Sequence, residues 1–316
     1  MSLDNLFLAW REFKRGKTRK VETQEFEFNL EDNIFQLHQE LVDKTYNHAP
    51  YQAFYVCDPK LRHIHKAGVR DRVVHQALYR ILYHIFNKQF IYDSYSCRIG
   101  KGTHKGVKRL GNFVLRASLN YSQKIYALKC DIKKFFNNID HKILLALLEN
   151  RVEEVDVMWL IKKIINSFSS ADNKGLPLGN VTSQLFGNIY LNELDQFVKH
   201  GLKQKFYIRY CDDFIILHKD KGYLANILKE LNTFLKDQLR LDIHPGKISI
   251  RKVSQGIDFL GYVTLPHYRV LRTKTKRRIL RLVNKNNAPS YLGVLKHANT
   301  WELRKELLSK IFLFDN

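Results

Sequence analysis

The stretch FYIRYCDDFIIL, residues 206–217, decides the fold. Phe-Tyr-Ile-Arg-Tyr precedes two adjacent aspartates, Asp212 and Asp213, and Phe-Ile-Ile-Leu follows them. Two short apolar strands around an Asp-Asp pair read as a β-hairpin with the acids at its tip. Taken alone, the fragment is explained as well by a polar turn with no further role. A second fragment, YALKCDIKKFFNNIDHKILL (126–145), carries Asp131 at the end of a strand-like run. Capping of the following helix is the simpler account of that acid by itself. Together the fragments say more. Two strands, each ending in an acid, can lie side by side in one sheet and bring three carboxylates together. Magnesium prefers oxygen ligands and keeps coordination for water and phosphate. Two such ions about 3.5–4 Å apart can clamp an in-line phosphoryl displacement, one at a primer 3′-hydroxyl and one at the leaving pyrophosphate. Clustered acids repel one another unless a metal or a lysine offsets them.

The rest of the chain suits such a site. It has 316 residues, 45% apolar, with 20 Phe and 16 Tyr, which supplies a core and excludes a disordered chain. Lys and Arg number 53 against 31 Asp and Glu, a net charge of +22. That excess favours a polyanionic partner, nucleic acid first and an anionic membrane surface second. Cys57, Cys97, Cys130 and Cys211 are widely spaced, so neither a disulfide framework nor a zinc site is indicated. No apolar run approaches the roughly 18 residues that span a bilayer, and MSLDNLFLAWREFKRGK has no signal-peptide h-region. A cytoplasmic, reducing setting without membrane attachment is the expectation.

Periodicity predicts helices near the N-terminus, over 30–47, 69–90, 182–200, 222–240, 272–285 and 299–312, and two more within 141–170. Thr182 or Ser183 is the expected N-cap of the 182–200 helix. Strand signals fall at 51–65, 124–130, 206–217 and 247–264. Trp10, Trp159 and Trp301 read as core. Strands alternating with helices and hairpins make a mixed α+β body, and the scarcity of proline and of Gly/Ser-rich linkers makes it one contiguous body with lobes.

These motifs resemble those of reverse transcriptases. YCDD (210–213) is similar to the family's Y-x-D-D box, and CDIKKFFNNIDHKIL (130–144) to its first aspartate motif in the form found in group II intron enzymes. PKLRHIHKAGVRDRVVHQAL (59–78) and SYSCRIGKGTHKGV (94–107) resemble the fingers blocks. IHPGKISI (243–250) and GIDFLGY (256–262) resemble the late palm lysine motif and the primer grip. They recur in the family's order. The fold implied is an α+β right-hand polymerase, with an N-terminal extension (1–50), fingers (51–115), a palm (116–265) interrupted by fingers helices around 141–175, and a short helical thumb (266–316).

One departure points further. Most reverse transcriptases carry Q-G-x-x-x-S-P before the palm helix; here Leu178 stands where Gln is usual and Gln184 where Pro is usual. That pattern, and SYLGVLKHAN (290–299), resemble enzymes of diversity-generating retroelements. Such enzymes copy a template-repeat RNA into cDNA with errors opposite adenine, and they need a small basic oligomeric accessory protein. A stand-alone enzyme of the group II intron lineage, used in defence or CRISPR-linked acquisition, and a non-catalytic RNA-binding scaffold are the alternatives.

The resemblance also implies roles. Asp131, Asp212 and Asp213, with the Ile132 carbonyl, hold two Mg2+, for which Mn2+ can substitute. Phe136 is the steric gate under the sugar, with Phe135 facing the other way. Lys60 and Arg62 grip the triphosphate of the dNTP, Arg through a planar fork and Lys as a compact charge, with Lys66, Arg70 and Arg72 as competitors. Leu178, Gly179, Ser183 and Gln184 lie beside the nascent pair, and Lys247 protonates departing pyrophosphate. Arg72, Arg98, Lys276, Arg277 and Arg278 contact template RNA or the RNA–DNA hybrid. In a chain this basic, any single cation is more often a solvated or backbone-contacting group.

Overall fold

A computed structural model describes residues 2–57 and 60–313. In chain order the helices are α1 (Leu3–Phe13), α2 (Val21–Phe28), α3 (Leu30–Val42), α4 (Val69–Phe86), α5 (Thr103–Ala117), α6 (Phe135–Asn138), α7 (His141–Glu149), α8 (Val155–Asn166), α9 (Val181–Gln196), α10 (Lys221–Leu239), α11 (Thr273–Leu282), α12 (Ala288–Leu295) and α13 (Trp301–Leu313). The strands are β1 (Gln52–Cys57), β2 (Leu61–Lys66), β3 (Tyr126–Asp131), β4 (Tyr207–Tyr210), β5 (Asp213–His218), β6 (Ser249–Lys252), β7 (Ile257–Phe259), β8 (Tyr262–Thr264) and β9 (Arg269–Leu271). They fall into two compact units, each assembled from separate stretches of chain.

The first unit takes residues up to 92 together with 132–197 and 233–242. It is helical apart from the β1–β2 hairpin. α1 lays Leu6, Ala9, Trp10 and Phe13 against α4, whose own buried stripe is Val73, Val74, Ala77, Leu78 and Leu82. These are helix-period apolar faces meeting one another. α9 is buried nearly all round, with Leu185, Phe186, Ile189, Tyr190, Leu191 and Leu194 in the core, as befits a helix covered on every side. Its start differs from the expected cap. Asn180 stands at the N-cap and its side chain does not cap the helix. Thr182 lies inside the first turn, with its hydroxyl 2.5 Å from His75 Nδ1.

The second unit takes 93–131, 198–232 and residues from 243 onward. Its centre is an antiparallel sheet in the order β4-β5-β3-β6. One apolar core joins Ala127, Ile208, Ile215 and Leu217 of this sheet, with Ile125 just before β3, to Val107, Leu110, Phe113 and Val114 of α5 and to Phe259, Tyr262 and Ile279 further on. β7, β8 and β9 form a second, three-stranded antiparallel sheet. The Tyr262 hydroxyl donates to the Val294 carbonyl at 3.0 Å, tying α12 to β8.

Helix α5 was not evident from periodicity. Gly106 and Gly111 interrupt its pattern. A Cβ on Gly106 would sit 3.4 Å from Leu260 and Tyr95, and one on Gly111 3.1 Å from the Arg269 guanidinium. Trp10 is buried as expected, whereas Trp301 is 64% exposed with Lys305 Nζ 3.8 Å from its ring centre. Among the described residues no helix is long and apolar enough to cross a membrane.

Candidate active site

β3 and β5 run antiparallel in a register that pairs Ala127 with Leu217, Lys129 with Ile215 and Asp131 with Asp213. The two acids are thus cross-strand partners at the end of the ladder. Asp213 also closes the β4–β5 hairpin opposite Tyr210, leaving Cys211 and Asp212 as the loop. Cys211 takes φ +55°, a left-handed conformation usually left to glycine. The buried Arg209 steadies it: its guanidinium donates to the Cys211 carbonyl at 3.0 Å and to Ser94 Oγ at 3.2 Å.

The electrostatics follow from burial. Desolvation pushes the Asp213 carboxyl up to about 6, with Lys129 opposing that rise and Asp131 and Asp212 adding to it. Asp212 is raised by burial and then by Asp131, with Lys247 opposing. Two lysines hold this charge. Lys129 Nζ lies 3.2 Å from Asp213 Oδ2 and donates to the Asp258 carbonyl at 2.6 Å. Lys247 Nζ bonds Asp131 Oδ1 at 2.5 Å, from a short 3-10 turn, Pro245–Lys247. That turn is docked on β3 by the His244 amide, which donates to the Asp131 carbonyl at 2.8 Å. Asp213 Oδ1 is buried and has no hydrogen-bond partner. As they lie, no three His, Cys, Asp or Glu among the described residues stand close enough to hold a metal ion. Asp131 and Asp213 each carry a lysine instead.

Several other expected residues lie in the first unit. The GLPLG loop is fastened to β2. The His65 amide donates to the Leu178 carbonyl at 2.8 Å, and the Asn180 side chain spans the His65 carbonyl and the Ala67 amide. Gly179, at φ +118°, is doubly required, because a Cβ there would lie 2.9 Å from Ile64 Cγ2. Leu178 is half-buried, and Gln184 is exposed on the first turn of α9. Phe135 is buried and Phe136 half-buried. Both rings lie against α9 at Gly187, where an added Cβ would meet them at 3.1 and 3.3 Å.

The cations divide into engaged and free. Lys66 and Arg72 both pair with Glu22, Arg72 stacks on Phe13, and Arg70 pairs with Glu40. Lys60, just before β2, and Arg62, on β2, are exposed and make no ion pair among the described residues. In the second unit, Arg98 donates to the Ser94 carbonyl at 3.0 Å. Lys276 and Arg277 are exposed on α11, with Arg278 half-buried beside them. Ile132 follows Asp131 directly, with its side chain buried.

Sequence reasoning missed Lys129, Arg209, Asn180 and Gly187. Lys129 had a signal: two residues before Asp131 on a strand, it shares that acid's face. The others become legible only with the contacts.

Residues 58–264 match the family model for reverse transcriptase (RNA-dependent DNA polymerase), so the chain belongs to that family. It is 24% identical to protein YkfC of Escherichia coli, over 78% of this chain and 74% of that protein. It is 25% identical to the group II intron-encoded protein LtrA of Lactococcus lactis, over 78% of this chain but only 51% of LtrA. A telomerase from Candida albicans, solved with a fragment of telomeric RNA, superposes with a TM-score of 0.58 at 12% identity. That match covers 84% of this chain and 54% of the telomerase, and establishes the right-hand polymerase fold. The chain therefore spans about half the length of two of these three relatives.

Proposed function

We propose that the chain is the RNA-directed DNA polymerase of a diversity-generating retroelement, copying a template-repeat RNA into cDNA with errors opposite adenine. The observation that carries the polymerase chemistry is the cross-strand pairing of Asp131 with Asp213 beside Asp212. The donors fit a hard divalent cation: all are oxygens, and Asp213 Oδ1 is buried with no hydrogen-bond partner among the described residues. Asp131, Asp212 and Asp213, with the Ile132 carbonyl, would hold Mg2+ or Mn2+. When bound, such ions stabilise the charge that develops on a transferring phosphoryl group.

The protein's own groups do the rest. Lys129 pairs with Asp213 and Lys247 with Asp131, so each of these acids has a cationic neighbour. Lys60 and Arg62 are the cations left to take a triphosphate, since Lys66, Arg70 and Arg72 are held by Glu22 and Glu40. Phe136 sets the floor under the sugar. Lys247, bonded to Asp131, protonates departing pyrophosphate. Arg98, Lys276, Arg277 and Arg278 take the template or hybrid backbone. A small basic oligomeric accessory protein completes the assembly.

The retroelement reading rests on Leu178. A leucine offers no hydrogen bond to the incoming pair, so mispairs are not rejected by loss of one. Replacing Leu178 with Gln and sequencing cDNA made on a long RNA tests it. Fewer errors opposite adenine are expected; an unchanged spectrum counts against the reading. A second reading, a stand-alone group II intron-lineage enzyme, draws support from the likeness to LtrA. It predicts a wild-type product with no bias at adenine.

A further inference from the structure

α3 carries two apolar stripes. Ile34, Leu37 and Leu41 are buried, and these suffice to dock a surface helix. Phe35 and Val42, two turns apart on its other side, are 53% and 57% exposed. Phe28 at the end of α2 and Val21 at its start are 88% and 68% exposed. Exposed large apolar residues therefore recur every seventh position, at 21, 28, 35 and 42. Val21 and Phe28 share one face of α2, and Phe35 and Val42 one face of α3, the two helices being separated at Asn29; seven-residue spacing within a helix is what it presents to another helix.

The charge around the stripe reverses that of the chain. Residues 21–43 hold seven acids and no Lys or Arg, in a protein whose net charge is +22. Glu22, Glu27 and Glu40 are tied to Lys66, Arg72, Lys14 and Arg70 and so anchor the two helices. Among the described residues Glu25, Glu31 and Asp32 are exposed and make no ion pair, and the exposed Asp43 carboxylate accepts from the Gln39 side chain.

We propose that the outer face of α2–α3 is a docking surface for a helix of another protein, one with apolar residues at heptad spacing flanked by Lys or Arg. Nucleic acid and anionic lipid are disfavoured, because their phosphates would meet carboxylates here. A second copy in the same orientation would set acid against acid. Elsewhere the chain's positive charge repels a basic helix, so such a helix is directed to this face. The inference stands whether or not the template is a retroelement RNA.

The test uses the full chain and a fluorescent Leu/Lys amphipathic peptide of about 20 residues, a helix of roughly 30 Å. Its controls are a Leu/Glu peptide of the same pattern and a scrambled Leu/Lys peptide. The patterned basic peptide is expected to bind and to protect 21–43 from hydrogen exchange. Phe28→Ser/Phe35→Ser/Val42→Ser, and separately Glu31→Lys/Asp32→Lys, should each weaken binding by about tenfold or more, with thermal unfolding and primer extension unchanged. Equal binding of the scrambled peptide, or unchanged binding by both variants, would overturn the proposal. So would protection outside 21–43, protection of this face by RNA, or concentration-dependent dimerisation that the serine variant abolishes. If the wild-type chain extends no primer yet binds the peptide, the polymerase reading fails and this one stands.

Discussion

Asp131 and Asp213 are Cα partners across β3 and β5, and Lys129, two residues back along β3, reaches Asp213 Oδ2 at 3.2 Å. An acid pair built into a ladder register cannot drift apart without breaking the sheet. The cost is electrostatic: burial and like charge disfavour ionised Asp212 and Asp213. A stability cost of this kind is characteristic of a site kept for function.

That cost gives a stability prediction for the metal-free chain. Burial pushes the folded Asp213 carboxyl up to about 6, above the ordinary carboxylate value of 3.8. Between those values the folded state binds more protons than the unfolded one, so stability falls as pH rises from about 4 to 6. Asp213→Asn should therefore raise Tm by a few degrees at pH 8, with the gap closing toward pH 4. Calorimetry with a chelator present checks this; a lower Tm at pH 8 contradicts it.

Lys247 opposes the rise at Asp212, so removing it leaves that acid harder to ionise. Lys247→Met should move the acidic limb of the extension rate to higher pH as well as lowering the plateau. A pH–rate profile beside wild type decides; a lower plateau with an unmoved limb would mean that Lys247 acts only through proton donation.

Much of this was legible in advance. The hairpin and its acids were readable because apolar strands flank them on both sides, and β3 because Tyr126–Asp131 reads as a strand ending in an acid. What stayed hidden depends on contacts that sequence order does not encode. The role of Lys129 needs the β3–β5 register and the approach of the Asp258 carbonyl. α5 was obscured by Gly106 and Gly111, which break its helical apolar pattern. Asn180 looked like one loop residue among several until its amide proved to join the GLPLG loop to β2.

Gly179 supports that junction. Gly179→Ala forces a side chain into φ +118° and against Ile64. A loss of about 1–3 kcal/mol is expected from the backbone conformation alone. Thermal unfolding measures it, and the KM for dNTP should rise with it. A neutral substitution would show that the loop can move off β2.

Gly187 holds the two phenyl rings at α9. Phe136→Ala should raise ribonucleotide incorporation by an order of magnitude or more, and Gly187→Val should shift discrimination in the same direction by displacing the ring. Competing dNTP and rNTP incorporation reads both. Unchanged selectivity in Phe136→Ala would remove Phe136 from the gate.

The most direct measurement is primer extension on an RNA template with Mg2+ by wild type, Asp131→Asn and Asp212→Asn, with RNA binding followed in parallel. The account predicts extension by wild type, a loss of at least a thousandfold in each variant, and RNA affinity within a fewfold of wild type. Extension by either variant at near the wild-type rate would contradict it.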